Sequence, residues 1–223
     1  LDADCIAHPQ LVERLLARYA QGEHVVGGGV VLAGDNYWAR CDNLLVFAAS
    51  LTTEPPGPRF YLPSCSLSIR RDIFLALGCF DECFKLAAGE DYDLSLRLRR
   101  QGYRLFCETG ASIEHRHLRT TARTMWQHLR AFGREHIKFW EAYPDFLTAG
   151  HRIQKLRPWA GAIFALAPLL ALRDALKLYA QNASARRAWL LLPGVVWGKL
   201  AWYWGIAEAL LVTPAQQRTR EHA

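Results

Sequence analysis

Three closely spaced acids, Glu90, Asp91 and Asp93, follow a glycine and open a stretch with the apolar spacing of an amphipathic helix. Acidic side chains are stabilised at a helix N-terminus, because the unpaired N–H groups and the helix dipole favour negative charge there. One acid suffices as a cap, and we interpret Asp93 either as a cap or as the partner of Arg97 four residues later. Glu90 and Asp91 are therefore candidates for acid–base chemistry, in which a carboxylate takes a proton from a reacting hydroxyl.

A second acidic pair, Asp2 and Asp4, follows an apolar residue at the start of the sequence. If these residues end a β-strand, both side chains lie at the carboxyl edge of a sheet, where α/β proteins place ligands. Alternation along the strand puts both carboxylates on one side, facing one cation and a diphosphate. Two separate carboxylate sites suit metal-assisted transfer from a phosphorylated donor, in which one holds the metal and the other takes the acceptor proton.

The elements that must position these acids alternate between helices and strands. Apolar residues at helical spacing predict helices over residues 11–19, 35–51, 71–77, 91–101 and 120–143. Apolar and β-branched runs predict strands over residues 24–32, 62–69, 103–107 and 111–115. The three glycines from Gly27 to Gly29 indicate a bulge or a close approach of another backbone.

The composition suits a folded protein with unevenly placed charge. Of 223 residues, 51% are hydrophobic, so a sizeable core is available. Residues 1–150 hold 17 basic and 18 acidic side chains, whereas residues 151–223 hold 10 basic and 3 acidic ones. A basic region that is also rich in Trp and Leu favours an anionic membrane surface, and not nucleic acid, as the partner. The six cysteines lack metal-binding spacing, which favours reduced thiols in a cytoplasmic protein.

Two apolar stretches in the basic region bear on membrane contact. Residues 158–172 carry no charge and span about 22 Å as a helix, against a hydrocarbon core of about 30 Å. Residues 188–212 are long enough, at about 37 Å, but Lys199 and Glu208 interrupt them. The four Trp side chains of this stretch prefer the membrane interface. We expect in-plane or re-entrant association, with a single span or docking on a preceding part of the protein as alternatives.

The acids stand among further motifs in a characteristic order. Before them lie residues 66–71 (Ser-Leu-Ser-Ile-Arg-Arg) and 78–82 (Gly-Cys-Phe-Asp-Glu), and after them lies His115. In this order the sequence resembles the family 2 glycosyltransferases of the GT-A fold. Their catalytic domains carry an Asp-x-Asp, an Asn-x-x-x-Arg-Arg-like segment, Gly-Gly-Phe-Asp-Glu, a helix-opening Glu-Asp and a late His. The resemblance runs from Leu1 to about Tyr143.

The resemblance implies a metal site and a donor site at the first acidic pair. Asp4, together with Asp2, is expected to bind a divalent metal and the diphosphate or ribose of a nucleotide-sugar. His115 is expected to approach the metal and the diphosphate, and His117 is a second candidate for that role. The metal is expected to be Mn²⁺ or Mg²⁺, since both accept carboxylate ligands.

The resemblance implies the catalytic pair as well. Asp91 is expected to deprotonate the acceptor hydroxyl as general base, and Glu90 to support the acceptor site. Family 2 implies a single displacement with inversion at the anomeric carbon.

The implied fold class is α/β, a GT-A fold that lacks its N-terminal half and is followed by a hydrophobic helical region. Residues 1–145 are expected to form the metal and acceptor half of the catalytic domain. Residues 146–223 are expected to form a basic, helical, membrane-associating region. The nucleoside-binding half would then precede Leu1 in a longer protein. Two departures from the family pattern are Ser66, where relatives carry Asn, and Cys79 in place of Gly. The Gln-x-x-Arg-Trp signature of processive synthases is absent, which predicts addition of one or few sugars.

These expectations predict a glycosyltransferase at the cytoplasmic face of the cell membrane, acting on a lipid-linked or cell-envelope glycan. One alternative is a catalytically inactive, membrane-anchored module that binds a glycan or a nucleotide. A second is a haloacid-dehalogenase-like phosphatase, which also opens on Asp-x-Asp with the first Asp as nucleophile. The Thr or Val that such phosphatases carry shortly afterwards is missing, because Cys5 and Ile6 follow. The phosphatase is therefore disfavoured.

Overall fold

A mixed sheet and a group of long helices make up the fold. The computed structural model describes residues 1–32, 34–82, 84, 89–143, 145–146 and 157–211. In chain order the strands are β1 Cys5–Ala7, β2 Val25–Val31, β3 Gly57–Pro58, β4 Leu67–Ile69 and β5 Phe106–His115. The helices are α1 Leu11–Ala20, α2 Tyr37–Phe47, α3 Arg71–Ala76, α4 Glu90–Arg100, α5 Ala122–Ala142, α6 Ala160–Gln181, α7 Ala183–Arg187 and α8 Leu192–Leu211. The predicted mixed α/β content is confirmed.

Strand β5 is the centre of the sheet. It pairs in parallel with β2 and antiparallel with β1 and β3, and β2 pairs antiparallel with β4 on its other side. The prediction of two strands, at 103–107 and 111–115, was wrong, because one strand runs through Gly110. The N–H of Gly110 donates to the Glu108 side chain, so this glycine is accommodated within the strand.

The glycine run of β2 is both a bulge and a close approach, as its sequence predicts. The pairing with β5 shifts register between Gly28 and Gly29. A Cβ atom on Gly28 would collide with the Ala111 carbonyl, and one on Gly29 would collide with the Thr109 carbonyl. Larger residues would therefore push β2 away from β5.

The predicted strand over residues 62–69 is shorter than expected. Only β4 pairs, and residues Ser64–Ser66 form a 3-10 turn after Pro63. The turn aims the Ser64 N–H at the carboxylate of Asp91, 3.2 Å away. A straight strand would place this donor in a sheet ladder instead.

Helix α4 begins at Glu90, one residue before the predicted start. Gly89 precedes it with a φ of 109°, a left-handed conformation that favours glycine. A Cβ atom there would lie 2.5 Å from the Phe139 ring of α5. Asp93 pairs with Arg97 at 2.7 Å, as predicted, and also accepts a hydrogen bond from Tyr143. The first turn of α4 is thus fixed against α5.

Helices α5 and α8 pack with their backbones in close contact. Gly133 of α5 faces the Trp202 carbonyl, and Gly205 of α8 faces the Arg130 carbonyl, with no space for a Cβ atom at either glycine. Glu208 of α8 accepts charge-assisted hydrogen bonds from Arg130 and Arg134 of α5. Thr121 caps α5 by accepting the Thr124 N–H.

The C-terminal helices share a hydrophobic core with α2, β5 and α5. The first apolar stretch, predicted at 158–172, continues as α6 to Gln181, because Arg173 and Asp174 pair with each other and with Tyr203. Within the described part of the chain, Arg157–Gln181 is the one helix long and apolar enough to cross a membrane. Of the region predicted at 146–223, residues 147–156 and 212–223 lie outside the described residues.

Candidate active site

One cavity of about 160 Å³ brings together the five residues that the sequence singles out. Its lining includes Asp2, Asp4, Glu90, Asp91 and His115. They come from the turn before β1, the start of α4 and the end of β5. The two acidic pairs, almost 90 residues apart in sequence, therefore face one space.

Asp91 is held by the backbone at both carboxylate oxygens. Oδ2 accepts the Ser64 N–H at 3.2 Å, and Oδ1 accepts the Tyr92 N–H at 2.7 Å. Burial, followed by the charge of Glu90, raises the pKa of Asp91 to about 6, although these N–H groups act in the opposite direction. At neutral pH the carboxylate is ionised, and it is a stronger base than an exposed aspartate.

Asp4 and His115 form the second part of the cavity. His115 Nε2 lies 3.5 Å from Asp4 Oδ1, and the Cys5 thiol lies within 4.8 Å of both groups. The expectation that Asp2 and Asp4 end a strand is not met, because residues 3–4 form a turn and β1 starts at Cys5. The Cys5 N–H donates to the Asp2 carbonyl across this turn at 3.1 Å. Both carboxylates nevertheless line the cavity.

The Asn43 side chain of α2 fixes the ring of His115. Its Nδ2 donates to the His115 carbonyl at 3.3 Å, and its Oδ1 lies 3.1 Å from ring Nδ1. Nδ1 must therefore carry a proton and donate it, which leaves the lone pair on Nε2. Burial lowers the pKa of His115, so the neutral ring is favoured. Nε2 and the Asp4 carboxylate are then two electron-pair donors that face each other, an arrangement that fits a cation.

A buried carboxylate, Asp42, organises the wall behind His115. It accepts hydrogen bonds from His128 Nδ1 at 2.8 Å and from Arg119 Nε at 2.9 Å. Burial acts to raise the pKa of Asp42, but the His128 hydrogen bond and the charges of His128, Arg119 and His117 outweigh it and lower that pKa. His117 Nε2 lies 3.3 Å from Asp42, so the second candidate for the metal role faces Asp42 and not the cavity.

Three residues of this site could not be recognised as site residues from the sequence. Asn43 and Asp42 lie on α2, more than 70 residues before their partners, and His128 lies on α5. Arg119 and His128 also line the cavity. Nothing in local spacing connects these positions, because only the packing of α2 against β5 and α5 brings them together.

A family model described as glycosyl transferase family group 2 matches residues 1–214 of this chain. The match contains every residue of the cavity. A comparison with curated proteins found no match.

Proposed function

Because the chain belongs to glycosyl transferase family group 2, we propose that it transfers a sugar from a nucleotide-sugar to an acceptor hydroxyl with inversion of the anomeric centre. The observation that carries this proposal is the shared cavity of Asp91 and the Asp4–His115 pair. It offers a base for the acceptor beside a cation site for the donor diphosphate.

Asp91 acts as the general base. Its carboxylate takes the proton of the acceptor hydroxyl while the hydroxyl oxygen bonds to the anomeric carbon and the bond from that carbon to the diphosphate breaks. The N–H groups of Ser64 and Tyr92 keep the carboxylate in place, and the charge of Glu90 keeps it basic. Glu90 supports the acceptor from the same helix turn.

Asp4, Asp2 and His115 are the residues that would hold a divalent metal, Mn²⁺ or Mg²⁺. A carboxylate facing an imidazole lone pair fits such an ion. The bound ion supplies charge neutralisation for the departing nucleoside diphosphate. Asn43 orients the imidazole as an outer partner of the ligand.

The sheet and its carboxylate cavity are interpreted as the metal and acceptor half of a GT-A fold, residues 1–145. Residues 146–223 are interpreted as its membrane-associating region. In support, the N-terminal turn carrying Asp2 and Asp4 meets the end of β5, where the Arg116 N–H donates to the Asp4 carbonyl at 2.8 Å.

The C-terminal region is proposed to associate with the cytoplasmic face of the cell membrane. Helix α6 buries Ala167, Ala171 and Ala175 and exposes Leu169 and Leu176, by 66% and 51%. Small residues inside and leucines outside are typical of a helix whose outer face meets lipid. The excess of basic side chains suits an anionic leaflet. A lipid-linked or cell-envelope glycan is the acceptor that such an enzyme reaches.

The test is nucleoside-diphosphate release by the full-length protein with UDP-, GDP- and dTDP-sugars, each with and without EDTA and with membrane lipid extract as acceptor. Release with one donor that is lost with EDTA and in Asp91→Asn supports the proposal. Asp72→Asn, an exposed carboxylate paired only with Arg70 among the described residues, is the matched control and should keep full activity. No release from any donor would favour the inactive binding module.

A further inference from the structure

A second cavity, of about 140 Å³, opens directly beside the general base. Its wall includes Val46, Gly89, Asp91 and Phe132, which also line the first cavity. The remaining walls are largely aromatic and come from α4, α5, α8 and the segment before β4. They are formed by the rings of Tyr61, Tyr92, His136, Phe139 and Trp202, together with the carboxylate of Glu135.

The rings of this cavity present faces and edges to one another around the open space. Tyr92 and His136 lie 5.6 Å apart between centroids, and His136 and Trp202 lie 5.2 Å apart. Burial lowers the pKa of His136 to about 4, so the imidazole is neutral at physiological pH and behaves as another aromatic ring. Aromatic faces carry negative charge density that attracts the polarised C–H groups on the apolar face of a sugar. The cavity therefore suits a sugar ring.

A third cavity, of about 110 Å³, continues from the aromatic one and contains Lys199. The two share Val46, Tyr61, Phe132 and Trp202. Lys199 Nζ lies 5.7 Å from the centroid of the Trp202 ring. Leu45 and Leu129 make the rest of this wall apolar.

Lys199 is a partly buried ammonium in an apolar helix. Among the residues that the structure describes, no carboxylate lies within 4.0 Å of its Nζ. The Asp174 carboxylate acts on Lys199 through its charge and not through a direct ion pair, so an anion arriving in the cavity would supply a contact partner and relieve the desolvation penalty. Burial lowers the pKa of Lys199, and the more distant charge of Asp174 offsets only part of this shift. The adjoining cavities thus place aromatic walls beside the base, and an ammonium with apolar neighbours beside those walls.

We propose that the two inner cavities bind the acceptor, with its sugar ring between the aromatic walls, its hydroxyl at Asp91 and a phosphate of the same molecule at Lys199. The apolar residues around Lys199 favour a phosphate that joins the sugar to a lipid. This inference rests on the proposed function, because it names the acceptor class of that site. It assigns Lys199 as a binding residue for the acceptor and for no part of the donor.

A binding experiment tests the site without requiring transfer. The full chain in neutral detergent is acetylated with acetic anhydride, and mass spectrometry follows Lys199 and the exposed Lys177 of α6. Dodecyl phosphate should slow acetylation of Lys199 at least threefold and leave Lys177 unchanged, and dodecyl glucoside, which lacks the phosphate, should protect Lys199 less. Unchanged labelling of Lys199, or equal protection of both lysines, would overturn the proposal. Equal protection by inorganic phosphate would overturn the assignment to a lipid-linked phosphate.

A kinetic experiment separates this inference from the proposed function. With a lipid-linked glycosyl phosphate as acceptor, Lys199→Met should raise the acceptor KM at least tenfold and leave the donor KM unchanged. Lys199→Arg should restore most of the affinity, and Lys177→Met should behave as wild type. With a neutral alkyl glycoside as acceptor, Lys199→Met should have no effect. Metal-dependent transfer in which Lys199→Met leaves the KM of the phosphorylated acceptor unchanged would overturn the inference and leave the proposed function standing.

Discussion

Asn43 and His115 hold each other through two hydrogen bonds, one from the amide to the His115 carbonyl at 3.3 Å and one between Asn43 Oδ1 and ring Nδ1 at 3.1 Å. Replacing Asn43 by Ala removes the partner that fixes the Nε2 lone pair toward Asp4. Loss of an outer partner of a metal ligand costs about 10- to 100-fold in metal affinity. We expect the Mn²⁺ concentration for half-maximal activity to rise by about this factor, with kcat restored at saturating Mn²⁺.

Electron paramagnetic resonance of Mn²⁺ binding gives an affinity that does not depend on turnover. Asn36→Ala, which removes the cap of the same helix but no contact with His115, is the control. Equal Mn²⁺ affinity in Asn43→Ala and wild type would show that His115 is not a ligand oriented by Asn43.

The rate of transfer should fall in acid because Asp91 must be ionised to accept a proton. With its pKa at about 6, kcat/KM should decline as the pH is lowered through about 6. Glu90→Gln removes a like charge that raises this pKa, so the decline should move to lower pH. Profiles of kcat/KM from roughly pH 4.5 to pH 8, which bracket that pKa, give the measurement. An acid limb at the same pH in Glu90→Gln would contradict the assignment of Asp91 as the base.

Asp91 should also destabilise the folded protein at neutral pH. Its folded-state pKa is raised, so the folded form binds the proton more tightly and the penalty is fully present above about pH 6. A rise from 3.8 to about 6 corresponds to about 3 kcal/mol. Asp91→Asn removes this penalty, but its side chain leaves one backbone N–H without an acceptor. The unpaired N–H costs about 1 kcal/mol or more, so the net gain in stability of the variant is smaller.

We therefore expect Asp91→Asn to raise the melting temperature at about pH 7.5, above the shifted pKa, but not at about pH 4, below it. Thermal unfolding followed by circular dichroism measures this difference. A variant that is less stable than wild type at pH 7.5 would contradict the account of a buried, destabilising carboxylate.

The Glu208 carboxylate ties α8 to α5 through Arg130 and Arg134. Glu208→Gln weakens both pairs and leaves two partly exposed guanidinium groups near each other. The expected loss of unfolding free energy is about 1–2 kcal/mol, since the pairs are charge-assisted but partly solvated. Asp72→Asn, which breaks an exposed pair, should change it by less than about 0.5 kcal/mol. Urea unfolding of both variants makes the comparison, and equal losses would contradict this role of Glu208.

The outer face of α6 should carry membrane affinity. Leu169→Asp and Leu176→Asp place charge on exposed positions, so folding should be unaffected while partition into anionic vesicles falls at least tenfold for the pair. Leu75→Asp, an equally exposed leucine on α3, is the control. Co-sedimentation with phosphatidylglycerol vesicles measures partition. Unchanged partition of the double variant would place the lipid contact elsewhere.

The features of the fold that depend only on neighbouring residues could be predicted from the sequence. The glycine and acids at 89–91 predicted the start of α4, and the glycine run predicted the irregularity in β2. The prediction of two strands around Gly110 was wrong because a glycine between two strands and a glycine at a bulge within one strand look alike in the sequence. Only the pairing with β2 distinguishes them. In the sequence, Lys199 was interpreted as an interruption of an apolar helix, because the cavity that it lines is completed by α2, α5 and the segment that carries Tyr61.

Trp202 lies on α8 and yet forms a wall of the cavity beside Asp91. Membrane-associated enzymes are often truncated to obtain soluble protein. Here a chain cut before α6 would retain every carboxylate of the site but leave the aromatic cavity open on one side. Such a chain would also lose the part of the core that α6, α7 and α8 share with α2, β5 and α5, so the choice of acceptor has to be measured on protein that keeps its C-terminal helices.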